Sequence, residues 1–185
     1  MNYYLIVKLI HIIGALGFFM ALGTEWLSLS YARNATTSEQ VRERLQISRS
    51  AQRLGPFSML TILITGIYMM ATVWHRVGWL LVALGALILI VVLGAALTRP
   101  RMAAVGQTLA TEKGPVSSSL QRLLNNSLLW LSLRTRVSIA LGIVFLMTLK
   151  PELLGSLITI TVAIVLGLVF SLPASNRNRE KAQAQ

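Results

Sequence analysis

The sequence predicts an all-α protein, a polytopic membrane helical bundle with five transmembrane helices. Three observations carry this. The 185 residues are 55 % hydrophobic and 12 % charged, the balance of a chain built for lipid. Its apolar residues lie in long runs, several near the ~20 residues a helix needs to cross a hydrocarbon core about 30 Å thick. Its charges are collected between those runs. The expected spans are 4–30, 56–75, 78–98, 128–149 and 153–172, in one domain over 1–185. Connectors at 31–55 and 99–127 and a basic tail at 173–185 complete it.

The first span, Tyr3 to Ser30, is apolar but contains Lys8, His11 and Glu25. Its apolar run is longer than the core of a cleavable signal peptide and lacks a clear small-residue cleavage site, so it is read as a retained helix. The polar stretch 31–54 follows, where Thr36, Thr37 or Ser38 can cap a short helix with Glu39 and Glu43 in its early turns. Pro56 suits the first turn of the second span, in which Thr61, Thr65 and Gly66 form a small, weakly polar packing stripe. Trp74, His75 and Arg76 mark its interfacial end, and the short turn at Val77-Gly78 makes the next span an antiparallel neighbour. Arg99-Pro100-Arg101 is expected to stop the third helix, since the residue before a proline disfavours helical geometry.

Gly114-Pro115 signals a turn, and Ser117 to Ser119 can cap the next helix. Val137 to Leu149 is too short to span alone, so 128–133 must contribute, drawing Arg134 and Arg136 to the membrane boundary. Pro151 ends that helix, and 153–172 is the fifth run.

Basic residues set the orientation. Arg33, Arg42, Arg44, Arg49 and Arg53 lie in the first connector. Arg99, Arg101, Lys113, Arg122, Arg134 and Arg136 lie in the region 99–136, and Arg177, Arg179 and Lys181 in the tail. Only Lys8, Arg76 and Lys150 fall toward the other side. The positive-inside rule then places the N-terminus outside and the C-terminus in the cytoplasm of a bacterial inner membrane. The net charge of +11 is read as contact with anionic lipid headgroups and not with nucleic acid, because the cations sit in patches between apolar runs. A homo-oligomer or a membrane partner is compatible with this surface.

The chain has no cysteine, and no aspartate; its acids are Glu25, Glu39, Glu43, Glu112, Glu152 and Glu180. Disulfides and thiolate metal sites are excluded. Nucleotide loops, HExxH, GxSxG and paired carboxylates are missing. His11 is the histidine within an apolar span, and intramembrane ionisable groups are functional candidates. It is either a haem or metal ligand or a histidine hydrogen-bonded to a neighbouring helix. Lys8, one turn earlier, either snorkels to the surface or binds an anionic group such as a haem propionate. Glu25 lies about four turns from His11 on roughly the same face. It is read as one half of a structural ion pair with Arg53, Arg134 or Arg136, the alternative being part of a proton path. Breaking such a pair, if buried, costs about 3–5 kcal/mol. Met20, Met59, Met69, Met70, Met102 and Met147 are read as packing.

The segment Lys8-Leu9-Ile10-His11-Ile12-Ile13-Gly14-Ala15, with Gly17 and Gly23, resembles the first helix of a group of small bacterial membrane proteins. The group comprises the copper-resistance D proteins, the HemJ-type protoporphyrinogen oxidases and neighbouring uncharacterised families. Leu63-Ile64-Thr65-Gly66-Ile67-Tyr68 is similar to its second-helix signature. Trp79 and Thr98-Arg99-Pro100-Arg101 look most like the uncharacterised members. The resemblance covers about the first hundred residues. It implies a helical bundle with a haem- or metal-binding histidine at His11, and haem b as the cofactor. The third span lacks the further functional lysine of the HemJ type. The expected function is therefore a non-catalytic structural, accessory or partner-binding membrane component; the alternative is a haem- or metal-binding redox protein using His11.

Overall fold

A computed structural model describes residues 3–74 and 77–171, without the side chains of 48–52 and 74. His75, Arg76, Leu172, the basic tail and the side chain of Arg49 lie outside the described residues. Among those described, every regular element is a helix: α1 (Tyr3–Arg33), α2 (Ser38–Met69), α3 (Gly78–Leu93), α4 (Arg99–Thr111), α5 (Ser118–Leu124), α6 (Ser127–Leu149) and α7 (Leu153–Val169). Two wide π-helical turns, Met70–Trp74 and Gly94–Thr98, continue α2 and α3. Four stretches are long and apolar enough to cross a membrane: Tyr3–Arg33, Arg53–Val73, Gly78–Thr111 and Ser118–Leu149. Leu153–Val169 is also apolar but has 17 residues, about 25 Å of helix. The described chain divides into two compact units.

The first unit is residues 1–77 with 112–117. Its core is an antiparallel pair, α1 against α2, whose register is read from close contacts along the seam. His11 meets Thr65 and Gly66, Gly14 meets Thr61 and Ile62, Gly17 meets Ser58, and Ala21 meets Gly55. The seam is made of small residues, which let two membrane helices approach without a hydrophobic driving force between them. At its far end Arg44 donates to the Tyr31 carbonyl in the last turn of α1, where a cation complements the helix dipole.

Thr37 does cap α2, its hydroxyl accepting from the Gln40 amide at 3.3 Å. The helix it opens is not short, however, and Pro56 is not in a first turn. α2 runs 32 residues with Pro56 inside it. The proline removes one N–H and crowds the carbonyl four residues back, yet the seam on both sides of it holds the helix together. The loop 112–117 returns to the start of α2. Thr37 and Pro115 form an isolated antiparallel bridge, with Ser38 N–H donating to the Gly114 carbonyl at 2.8 Å and Val116 N–H to the Thr36 carbonyl at 3.0 Å. Gly114 has φ +85°, the left-handed region that glycine adopts without strain.

The second unit holds α3 to α7. α6 and α7 pack antiparallel, Gly142 on Ala163 and Thr135 on Gly167. The buried residues of α7 are Ser156, Ile160, Ala163 and Gly167, a four-three-four spacing that makes one stripe. α6 begins at Asn126, whose side chain accepts from the Leu128 and Leu129 amides, so 128–133 does extend the apolar run. Lys150, at φ 49°, ends it in the left-handed conformation ahead of Pro151. Arg134 donates to the Phe170 carbonyl at the end of α7 and lies 5.9 Å from the Trp130 ring.

The expected stop at Arg99-Pro100-Arg101 is absent. The helix widens over Gly94–Thr98 and continues as α4. Pro100 has no N–H to give, and its ring presses on the carbonyl four residues before it. A turn of wider pitch relieves that pressure and lets the helix pass.

Candidate functional site

Two clusters of hydrogen-bonded polar side chains lie among these apolar helices, one in each unit. In the first, His11 Nδ1 lies 2.8 Å from the Thr65 hydroxyl. That hydroxyl has a single proton. It lies 2.6 Å from the Thr61 carbonyl, an acceptor only, so the proton is donated there. With the proton there, the Thr65 oxygen accepts from His11 in its Nδ1–H tautomer. In that tautomer neutral His11 keeps its lone pair on Nε2, the logic by which a hydrogen bond to one ring nitrogen selects the other as ligand. The ring packs beside Gly66, where a Cβ would meet His11 Cε1 at an ordinary contact distance of 3.5 Å.

The other expected residues lie apart from this cluster. Lys8 is exposed, one turn before His11. Glu25 is partly buried farther along α1, and Arg53 is exposed on α2. The α1–α2 register, 21 with 55 and 31 with 44, sets Glu25 opposite positions 50–51 and within one turn of Arg53. Arg134 and Arg136 belong to the second unit.

In that unit Arg136 is 8 % exposed. Its Nη2 donates to the Thr98 hydroxyl at 3.2 Å. Thr98 and Ser132 hydroxyls lie 3.0 Å apart, and Ser132 reaches the Leu93 carbonyl at 3.2 Å. With one proton on each hydroxyl, the chain has one order: Arg136 donates to Thr98, Thr98 to Ser132, and Ser132 to Leu93. The sequence places Arg136 at the boundary but gives no sign of this relay. Thr98 and Ser132 are separated by 34 residues, and nothing in the local pattern marks them as partners.

Among the described residues no group of three or more His, Asp or Glu side chains is spaced to hold a metal ion. No protein-family model, no curated protein and no solved structure matches this chain.

Proposed function

We propose that this chain is a five-span helical bundle of the bacterial inner membrane, N-terminus outside and C-terminus in the cytoplasm, acting as a non-catalytic structural, accessory or partner-binding component. The observation behind it is the inverted surface. Leu9, Ile13, Leu16 and Met20 on α1, Ile64 and Ile67 on α2, and Leu154, Ile158 and Val165 on α7 are exposed, while Thr65, Thr98, Ser132 and Arg136 are buried. Water would oppose that arrangement and hydrocarbon favours it. The 17 residues of α7 reach the width of the hydrocarbon core with modest local thinning of the bilayer. The cytoplasmic cations meet anionic headgroups, and nucleic acid is not a partner. A reporter fused after Gln185 should be active only in its cytoplasmic form; activity of a periplasm-specific reporter there would overturn the topology.

Within this reading Glu25 pairs with an arginine, and Arg53 is the partner the helix register favours over Arg134 and Arg136. Because Arg53 is exposed, the pair contributes about 1 kcal/mol or less, well under a fully buried pair. Glu25→Gln should weaken the α1–α2 pair by that amount in detergent unfolding, and the exchange Glu25→Arg with Arg53→Glu should recover part of it. No recovery would sink the pairing.

One observation favours a second reading. The Nδ1–H tautomer leaves His11 Nε2 as a ligand atom. A bare metal ion needs several convergent ligands. The site suits instead a group that brings most of its own, such as haem b, with Lys8 one turn away for an acidic substituent. Purified protein with a Soret band that is lost in His11→Ala would support this; a colourless preparation would remove it.

A further inference from the structure

Charge is distributed differently in the two units. In the first, the cations toward the cytoplasmic end are Arg33, Arg42, Arg44, Arg49, Arg53 and Lys113, and Glu25, Glu39, Glu43 and Glu112 belong to the same end. In the second, Arg99, Arg101, Arg122, Arg134 and Arg136 lie toward that end. Among the described residues of the second unit the carboxylate is Glu152, and it follows Lys150 at the opposite end of α6. The second unit therefore carries the larger net positive charge there, from fewer cations. Three of its guanidinium groups are set near one level. Arg101 turns back along its helix, Nη1 donating to the Leu97 carbonyl at 2.6 Å. Arg136 reaches from α6 to the Thr98 hydroxyl at 3.2 Å. Arg134, about 3 Å along α6 from Arg136, donates to the Phe170 carbonyl where α7 ends. Arg99, next after Thr98, is exposed. On the membrane side of this level the surface is apolar: Val92, Ala95 and Ala96 are exposed before Arg99, and Val165 and Val169 before Phe170.

We propose that this end of the second unit is a site for anionic glycerophospholipid, with headgroup phosphates on Arg99, Arg101 and Arg134 and acyl chains on the apolar surface next to them. The proposal rests on the membrane reading above and names which of the basic residues select the lipid. A guanidinium group grips phosphate oxygens through two parallel N–H···O bonds. Arg136 is buried and does not touch the headgroup, but its charge is screened less than a surface charge and adds to the attraction. In the first unit an anionic headgroup that approaches the cations also approaches carboxylates, so attraction and repulsion offset each other. A zwitterionic headgroup brings its own cation and gains little in either unit. The partner is a lipid and not a free anion because the cations stand at the end of an apolar surface, where head and tails are both met.

Full-length protein in a neutral detergent, titrated with phosphatidylglycerol or phosphatidylcholine and followed by native mass spectrometry, gives an affinity for each lipid. Phosphatidylglycerol should bind the parent more tightly. Arg99→Gln with Arg101→Gln should weaken phosphatidylglycerol by about tenfold and leave phosphatidylcholine unchanged. Arg42→Gln with Lys113→Gln removes the same charge from exposed positions of the first unit and should weaken it by less than about threefold. Equal losses in the two variants would overturn the proposal, since the lipid would then be reading total charge. Equal affinity of the parent for the two lipids would also overturn it, and so would displacement of phosphatidylglycerol by inorganic phosphate, the mark of a free-anion site. Should the Arg99 and Arg101 variant fail to fold, Arg99→Gln against Lys113→Gln decides the matter, with the larger loss expected at Arg99. The titration has no leaflets, so its failure leaves the topology standing. A periplasmic reporter signal after Gln185 would move the site to the other leaflet without changing these affinities.

Discussion

The two units solve one problem with different backbones. Each sets a nitrogen group, half-buried His11 or buried Arg136, among apolar helices and links it through hydroxyls to a main-chain carbonyl. In the first unit the chain is short, from His11 to Thr65 to the Thr61 carbonyl. That carbonyl lies in a regular helix, so it also receives an amide four residues ahead and loses little without the threonine. In the second unit the chain runs from Arg136 through Thr98 and Ser132 to Leu93. Its last acceptor borders a π turn, where amides reach back five residues instead of four. The same motif therefore ends on a regular α turn in one unit and beside a π turn in the other.

The sharpest break of this comparison uses glycines. A Cβ on Gly167 would lie 2.7 Å from the Thr135 Cα, whereas a Cβ on Gly17 would lie 2.5 Å from the Ser58 hydroxyl. A backbone atom cannot step aside; a serine hydroxyl can rotate. Gly167→Ala should thus force α6 and α7 apart at a cost of about 1–3 kcal/mol, while Gly17→Ala should cost well under about 1 kcal/mol. Reversible unfolding in mixed detergent would show the order, and equal losses would contradict the idea that the second unit is the more rigidly packed.

Next in size is the pair Ser132→Ala and Thr65→Val. Hydrogen bonds between membrane helices average about 0.6 kcal/mol, with values to about 1.7. Ser132→Ala should fall near the upper figure because it takes the acceptor from the buried Thr98 hydroxyl as well as a donor from the Leu93 carbonyl. Thr65→Val should fall near or below the lower one, because Thr61 keeps its helical amide. A larger loss for Thr65→Val in the same unfolding measurement would reverse the contrast between the units.

Legibility in the sequence divides along the same line. The apolar runs, the Thr37 cap, the Gly114 turn and the need for 128–133 in α6 are local, and local pattern finds them. The Thr61–Thr65–Gly66 stripe is visible as a packing face and His11 as a polar candidate, but nothing local pairs the two. The features that sequence reading misses depend on distant partners. Pro56 and Pro100 look like helix boundaries, since proline alone predicts a break; packing along α1 and a widened turn carry the helices through instead. The tethering of 112–117 to the start of α2 is written in main-chain hydrogen bonds, which leave no side-chain signature.

That tether supplies the smallest expected effect. Glu39, exposed at the first turn of α2, accepts from its own amide and from the Gly114 amide, the latter at 3.4 Å. The hydrogen bond from its own backbone, then that from Gly114, and the nearby Arg42 charge hold its carboxyl below the ordinary glutamate value. A carboxyl lowered in the folded state stabilises that state above its unfolded pKa, about 4.3. The contribution fades as pH falls through the still lower folded value. Solvent screens so exposed a group, so the global midpoint of unfolding should barely move. The effect should be local instead. Protection of the Gly114 amide, corrected for intrinsic exchange, should decline as pH drops below about 4.3, while the Ser38 and Val116 amides, whose acceptors do not titrate, should hold. In Glu39→Gln the Gly114 protection should lose its pH dependence. Loss of all three amides together would mean that the loop leaves as one piece, held by its backbone bridge and not by the carboxylate.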